Sequence, residues 1–163
     1  METKVILNIA KEKKLCGPWQ EKMKQDSSLQ NLCKMYFDGD DWSMENDFPA
    51  LNILREFKGK SDIHGLHTDF IGTNKNELQT AYFGNSDVRL SYDGFSVGKV
   101  ILRHNTKAKI NVRDNSIVFI NLLDNAEVQI ECSGKAWVFV FCYDNHNVKS
   151  IGNVKVQTST FKK

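Results

Sequence analysis

Four phrases decide the fold: NSDVRLSYDG at residues 85–94, NTKAKINVRDN at 105–115, NAEVQIECSG at 125–134 and NHNVKSIGN at 145–153. Their opening asparagines, Asn85, Asn105, Asn125 and Asn145, stand twenty residues apart. Three, five and seven places after them come Val88, Leu90 and Tyr92; Ala108, Ile110 and Val112; Val128, Ile130 and Cys132; and Val148, Ser150 and Gly152. The residues between, such as Arg89, Lys109, Gln129 and Lys149, are mostly polar. Period two with one apolar side predicts a strand buried on one face. Each phrase then reaches a turn, at Asp93-Gly94, Asp114-Asn115, Ser133-Gly134 and Gly152-Asn153, built from residue types that tolerate positive φ.

Working outward, a second strand follows each turn. Its inward set is Val100 and Leu102, then Val118, Ile120 and Leu122, then Val138, Val140 and Cys142, again in step at twenty. His64, Gly84, His104, Asp124 and Asp144 close five frames running from 64–83 to 144–163. The first frame, with Gly65 in the anchor place, and the last are the least regular, as terminal repeats are.

Stacking like on like places Val88, Ala108, Val128 and Val148 in one row and Leu90, Ile110 and Ile130 in the next. An antiparallel meander does not keep that translational register, and a jelly roll or other two-sheet sandwich stands as the alternative. The expected fold is mainly β with a helical N-terminal region: a short single-stranded β-solenoid of four to five coils, about twenty residues per coil. Two domains follow, a helical region over 1–60 that packs on or caps the solenoid and the solenoid itself over 61–163. The anchor asparagines read either as a side-chain ladder along one corner or as turn residues in the left-handed region.

The outward residues divide the two strands. On the first they are Arg89 and Ser91, Lys109 and Asn111, Gln129 and Glu131, a solvated set, and Arg103, Lys107 and Lys149 are expected to add positive character. On the second they are Val97 and Ile101, then Ile117, Phe119 and Leu123 around Asn121, then Trp137, Phe139, Phe141 and Tyr143. Burying a large apolar side chain contributes about 1.5–3 kcal/mol, so a surface of this kind calls for a cover. The N-terminal helices and a partner chain are both candidates. Ile117, Phe119, Leu123, Trp137, Phe139, Phe141 and Tyr143 form the expected interface, with the chain itself or another structural protein as its partner.

Before the repeats, Lys4 to Ile9 alternates weakly and reads as a possible strand. Pro18 and the spacing of Trp19, Met23, Leu29, Leu32, Cys33, Tyr36 and Phe37 predict one or two helices over 18–37, broken near Asp26-Ser27-Ser28. Asp38-Gly39-Asp40-Asp41 lacks the twelve-residue frame of a calcium loop and reads as a turn whose acids cap the next helix. Asp47, Pro49 and the run Leu51, Ile53, Leu54 and Phe57 predict a short amphipathic helix over about 48–58.

The 163 residues carry 22 Lys plus Arg against 20 Asp plus Glu, and a net charge of +2 gives no footing for nucleic acid or an acidic membrane. No secretory pattern or bilayer-spanning run appears, so a cytoplasmic site of synthesis is expected. Cys16, Cys33, Cys132 and Cys142 are too far apart for a metal clip and are expected to be reduced, buried thiols. His64 and His67, with Asp62 and Asp69 nearby, and the corner residues His104, Asp124, Asp144 and His146 invite a zinc reading, but a hydrogen-bonded corner accounts for them equally. Asp93, Asp114 and Glu131 are the acids from which a glycosidic pair would be drawn. No serine elbow, P-loop or dinucleotide fingerprint accompanies them, and the sequence calls for no cofactor and no enzyme.

The helical lead NLCKMYFDGDDWSMENDFPALNILREFKG (31–59) and the coils HNTKAKINVRDN (104–115), LLDNAEVQIECSG (122–134) and YDNHNV (143–148) together resemble small, poorly characterised proteins encoded by Bacteroidetes bacteria, their prophages and phages. The resemblance covers most of residues 15–155. It implies a helical region followed by β-solenoid coils, a phage-related or mobile-element setting with possible virion association, and a structural or interaction role; it carries no catalytic motif. The functional expectation is therefore a non-enzymatic protein whose rigid solenoid serves self-assembly or docking. A carbohydrate-binding module on the polar face is the alternative, and a bactofilin-like filament built by end-to-end coil stacking is a third reading.

Overall fold

The structure, a computed structural model, describes residues 3–161. The chain divides between His64 and Gly65 into two compact units.

The first unit is helical. Its elements are α1 (Thr3–Glu12), α2 (Gly17–Gln25), α3 (Leu29–Asp38), α4 (Asp40–Glu45) and α5 (Leu51–Glu56), followed by a 3₁₀ turn at Asp62–His64. The strand expected over Lys4 to Ile9 is instead part of α1. Ile6 and Ala10, four residues apart, are its buried pair, while Val5 on the other side is exposed, so the helical period prevails over the weak alternation. Pro18 stands in the first turn of α2, where its missing N–H costs nothing. Ser28 caps α3, its Oγ accepting from Asn31 N at 3.2 Å. Asp26 ends the preceding segment by accepting from Ser28 N at 2.9 Å, which holds its carboxyl below the usual range. Asp40 and Asp41 lie in the first turn of α4, where their charge favours the helix dipole. The unit has its own core of Ile6, Ala10, Leu15, Met23, Met35, Phe48 and Ile53.

The second unit is the solenoid. One sheet contains β1 (Leu66–Thr68), β3 (Gln79–Phe83), β5 (Val97–Leu102), β7 (Ile117–Leu122), β9 (Trp137–Cys142) and β11 (Val154–Thr158) in that order. The other contains β2 (Ile71–Lys75), β4 (Asp87–Tyr92), β6 (Lys107–Val112), β8 (Glu127–Cys132) and β10 (Val148–Ile151). Every neighbouring pair is parallel, and this pairing overturns the sandwich alternative. Val88 lies beside Ala108, Ala108 beside Val128 and Val128 beside Val148, the predicted row. The end coils are shorter than the frame of twenty: Leu66 pairs with Ala81, Ile71 with Asp87 and Val138 with Val154.

Between the sheets the inward rows interdigitate into one core, from Val88, Leu90 and Tyr92 through Ile120 and Leu122 to Val138, Val140 and Cys142. The ring of Tyr92 occupies the space beside Gly98; a Cβ there would stand 2.4 Å from the ring, so glycine is the residue that admits it. Tyr92 Oη donates to Glu77 O at 3.0 Å, and burial pushes this phenol well above its ordinary pKa. Cys132 and Cys142 are free, buried members of this core; Cys33 in α3 is also buried, which pushes its thiol up to about 12. Cys16 departs from the expectation and is exposed at the N-cap of α2.

The corners are held by a second period-twenty device. Gly84 N donates to His104 Nδ1 at 3.2 Å, His104 N to Asp124 Oδ2 at 2.9 Å and Asp124 N to Asp144 Oδ2 at 2.9 Å. Each bend thus has an amide satisfied by the side chain one coil further on. Positive φ falls on Gly84, His104 and Asp124, the residues before the anchors, so the left-handed reading of the anchor asparagines themselves is corrected by one place. Among the described residues the asparagine ladder has one rung, Asn105 Nδ2 donating to Asn85 Oδ1 at 3.1 Å. Asn145 Nδ2 donates instead to Asp124 O.

Candidate functional site

The outer surface of the sheet containing β5, β7 and β9 follows from register. Val97, Ile117 and Trp137 form one row, Lys99, Phe119 and Phe139 the next, and Ile101, Asn121 and Phe141 the third. Rows at strand spacing bring flat rings face to face. Phe119 and Phe139 stack with centroids 5.4 Å apart at 16°, and Trp137 and Phe139 at 6.1 Å and 19°. Such pairs add about 0.5–1.5 kcal/mol beyond the area they bury. The stack leaves Ile117 37%, Phe119 40% and Trp137 46% exposed, with Val97 at 47% beside them. Phe139 and Phe141 are half-buried between their neighbours. Polar residues bound the patch: Lys99 precedes Phe119 in its row, Lys155 follows Phe139, and Gln157 follows Phe141.

Three expected outward residues are placed differently. Leu123 is buried rather than exposed, because it stands one residue past the end of β7, where the chain has begun its corner. Ile101 is likewise fully buried although its phase is outward. Arg103 does not lie on the polar sheet: it follows β5, is buried, and places Nε 3.1 Å from Asp124 Oδ2. Tyr143 is half-buried and stacks on Phe161 at 4.6 Å.

The candidates for metal and acid chemistry are taken up by structure. His67 is buried with its ring stacked on Tyr82 at 4.8 Å, His104 accepts at the corner, and His146 Nε2 lies 2.9 Å from Thr158 Oγ1. Among the described residues no group of three or more His, Cys, Asp or Glu side chains is placed to hold a metal ion. Asp93 binds Lys75 at 2.8 Å and Arg113 at 3.1 Å; hydrogen bonds from Lys75, Asn76 and Arg113 hold its carboxyl far below the usual range. Asp114 Oδ2 accepts from Gly94 N at 2.9 Å. For Asp124, burial acts upward, but the hydrogen bond from the His104 backbone amide and the charge and hydrogen bond of Arg103 outweigh it and the carboxyl is lowered. Glu131 remains on the polar face, exposed. No described helix is long and apolar enough to cross a membrane.

Sequence reasoning passed over the small residues that line the corners. Ser86, Thr106 and Ala126 are buried in one column, and Ser116 and Ala136 in another with Ser96 above them. Their signal was the same spacing of twenty, carried by size rather than by polarity. A scan against protein-family models finds no match, and searches of curated proteins and of solved structures return no similar protein.

Proposed function

We propose that this chain is a non-enzymatic structural or interaction protein whose solenoid docks through the aromatic sheet onto a second copy of itself. The observation that carries the reading is the exposed cluster of Val97, Ile117, Phe119 and Trp137, bounded by Lys99, Lys155 and Gln157. Aromatic centres with polar rims are the composition of protein interfaces. The side chains stand on a hydrogen-bonded sheet and are already stacked, so little ordering opposes association. The coil repeat also makes the patch self-similar, which suits a two-fold contact in which rings of one copy enter the rows of the other.

The test is light scattering over a wide concentration range on the intact chain and on Phe119→Lys and Trp137→Lys. A reversible dimer that either substitution dissociates is expected. A strict monomer at the highest concentration removes the self-association reading. A phage or mobile-element setting is supported by the resemblance of the helical lead and coils alone. Its expected signature is co-purification with virions or their assembly intermediates, and recovery solely in other host fractions counts against it.

A further inference from the structure

The polar sheet holds a charge pattern that the docking reading leaves unused. One outer row is Asp87, Lys107 and Glu127, alternating in sign, with Lys107 Nζ 3.4 Å from Glu127 Oε1. At the edge, Lys75 is neutralised by Asp93. The middle row is different. Thr73, Arg89, Lys109, Gln129 and Lys149 lie in register, with Arg89 directly beside Lys109. Among the described residues, Arg89, Lys109 and Lys149 have no ion-pair partner.

Like charges directly opposite on neighbouring strands destabilise a sheet. A carboxylate one coil away neutralises Lys107 on this same sheet, so the fold has the means and the middle row does not use it. That row is also the shared wall of two shallow troughs of about 700 and 710 Å³. Ser91, Asn111 and Glu131 line the far side of one, and Asp87, Lys107 and Glu127 that of the other.

We propose that this face binds a linear anionic polysaccharide, a sugar chain bearing carboxylate or sulfate groups, laid across the coils with its anions on Arg89, Lys109 and Lys149. Strands repeat every 4.7–4.9 Å or so, a step comparable to the length of one sugar ring, so successive rings meet successive coils. Ser91, Asn111, Gln129 and Glu131 offer the donors and acceptors that hydroxyl groups need. A nucleic acid fits less well. Glu131 in one trough and Asp87 and Glu127 in the other stand against a continuous phosphate chain, and the rings on which bases stack are on the opposite sheet. The proposal is independent of the aromatic-face reading, since it uses the other sheet.

The experiment titrates the intact protein with fluorescently labelled oligouronate, a sulfated oligosaccharide, a neutral oligosaccharide of equal length and single-stranded DNA. At least one anionic glycan is expected to bind about tenfold or more tightly than the neutral chain, with a log–log salt slope that falls by roughly one for each of Arg89→Gln and Lys109→Gln. Preference between uronate and sulfate then assigns the anionic group. Lys34→Gln, which removes a cation paired with Asp38 in the helical unit and outside both troughs, should leave binding little changed, and circular dichroism melts verify that the variants fold. Equal binding of neutral and anionic glycans, unaltered binding by the Arg89→Gln/Lys109→Gln double variant, or DNA binding as tight as the best glycan overturns the proposal.

Discussion

The two outer faces of this solenoid are built by one rule and have opposite characters. Both place residues twenty apart side by side, so each face repeats the chemistry of its row. On one, repetition stacks Phe119 on Phe139 and accumulates apolar surface; on the other, it stacks Arg89 on Lys109 and accumulates charge. Parallel in-register stacking amplifies whatever the sequence supplies. Attraction between like residues holds for rings and fails for cations, so one face gains internal stability from its repeat and the other bears a cost. What the faces share is the layer between them. Ile120, fully buried, belongs to that common core. Ile120→Ala should cost about 2–5 kcal/mol and lower the melting of both sheets together. In a Trp19→Phe/Trp42→Phe background, thermal melts followed by Trp137 fluorescence and by the β-sheet band of the far-ultraviolet dichroism would coincide if the faces share one cooperative unit, whereas two separated transitions of the sheet signals would break the comparison at its root.

The corners that join the faces supply the next largest effect. Asp124 caps His104 N and lies against the buried Arg103 guanidinium. Asp124→Ala should lose about 1–3 kcal/mol, the range for removing a charged hydrogen-bond partner. Because the folded carboxyls of Asp93 and Asp124 lie below their unfolded values, the unfolded chain binds more protons in acid. Their contribution is therefore present above about pH 4 and is lost as pH falls through the lower folded values. Urea denaturation from pH 6 downward should show that decline, with a shallower slope in Asp124→Asn.

The coil and its rows were legible because inward positions alternate strictly and the step of twenty repeats without insertion from Asn85 through Cys142. The step itself extends from the Gln79–Lys99 pair to the Glu131–Ile151 pair, and it shortens in the end coils: Leu66 reaches Ala81 and Val138 reaches Val154. Nothing in residue type marks a shorter bend. The same limit explains Ile101, Leu123 and Arg103. Alternation says from which side of a sheet a side chain leaves, but it does not say whether that side meets water at a given coil, nor where the strand yields to the corner. The segment over Lys4 to Ile9 failed for a simpler reason. Six apolar-rich residues satisfy two periods at once, and only the burial of Ile6 with Ala10 separates them.

On the aromatic face the comparison can be sharpened without disturbing the core. Trp137→Lys removes an exposed ring that stacks on Phe139 at 6.1 Å. Loss of one such pair should lower monomer stability by about 0.5–1.5 kcal/mol. The same substitution is expected to abolish self-association measured by sedimentation. A large loss of stability with association intact would mean that the ring serves the fold, not the interface.

The smallest effect has the most informative sign. If Arg89 and Lys109 repel one another across neighbouring strands, Lys109→Gln should raise the stability of the free protein by about 0.2–1 kcal/mol. The gain should shrink as salt rises toward about 1 M, where the screening length falls to about 3 Å. Denaturant melts of the two proteins at low and high salt measure both quantities. A stabilised Lys109→Gln variant that has lost its preference for an anionic glycan would tie the electrostatic cost to the site that uses it. A variant destabilised equally at both salt concentrations would instead show that the Lys109 stem covers apolar surface, as long cationic side chains do, and the charged face would then resemble the aromatic one in being held by packing.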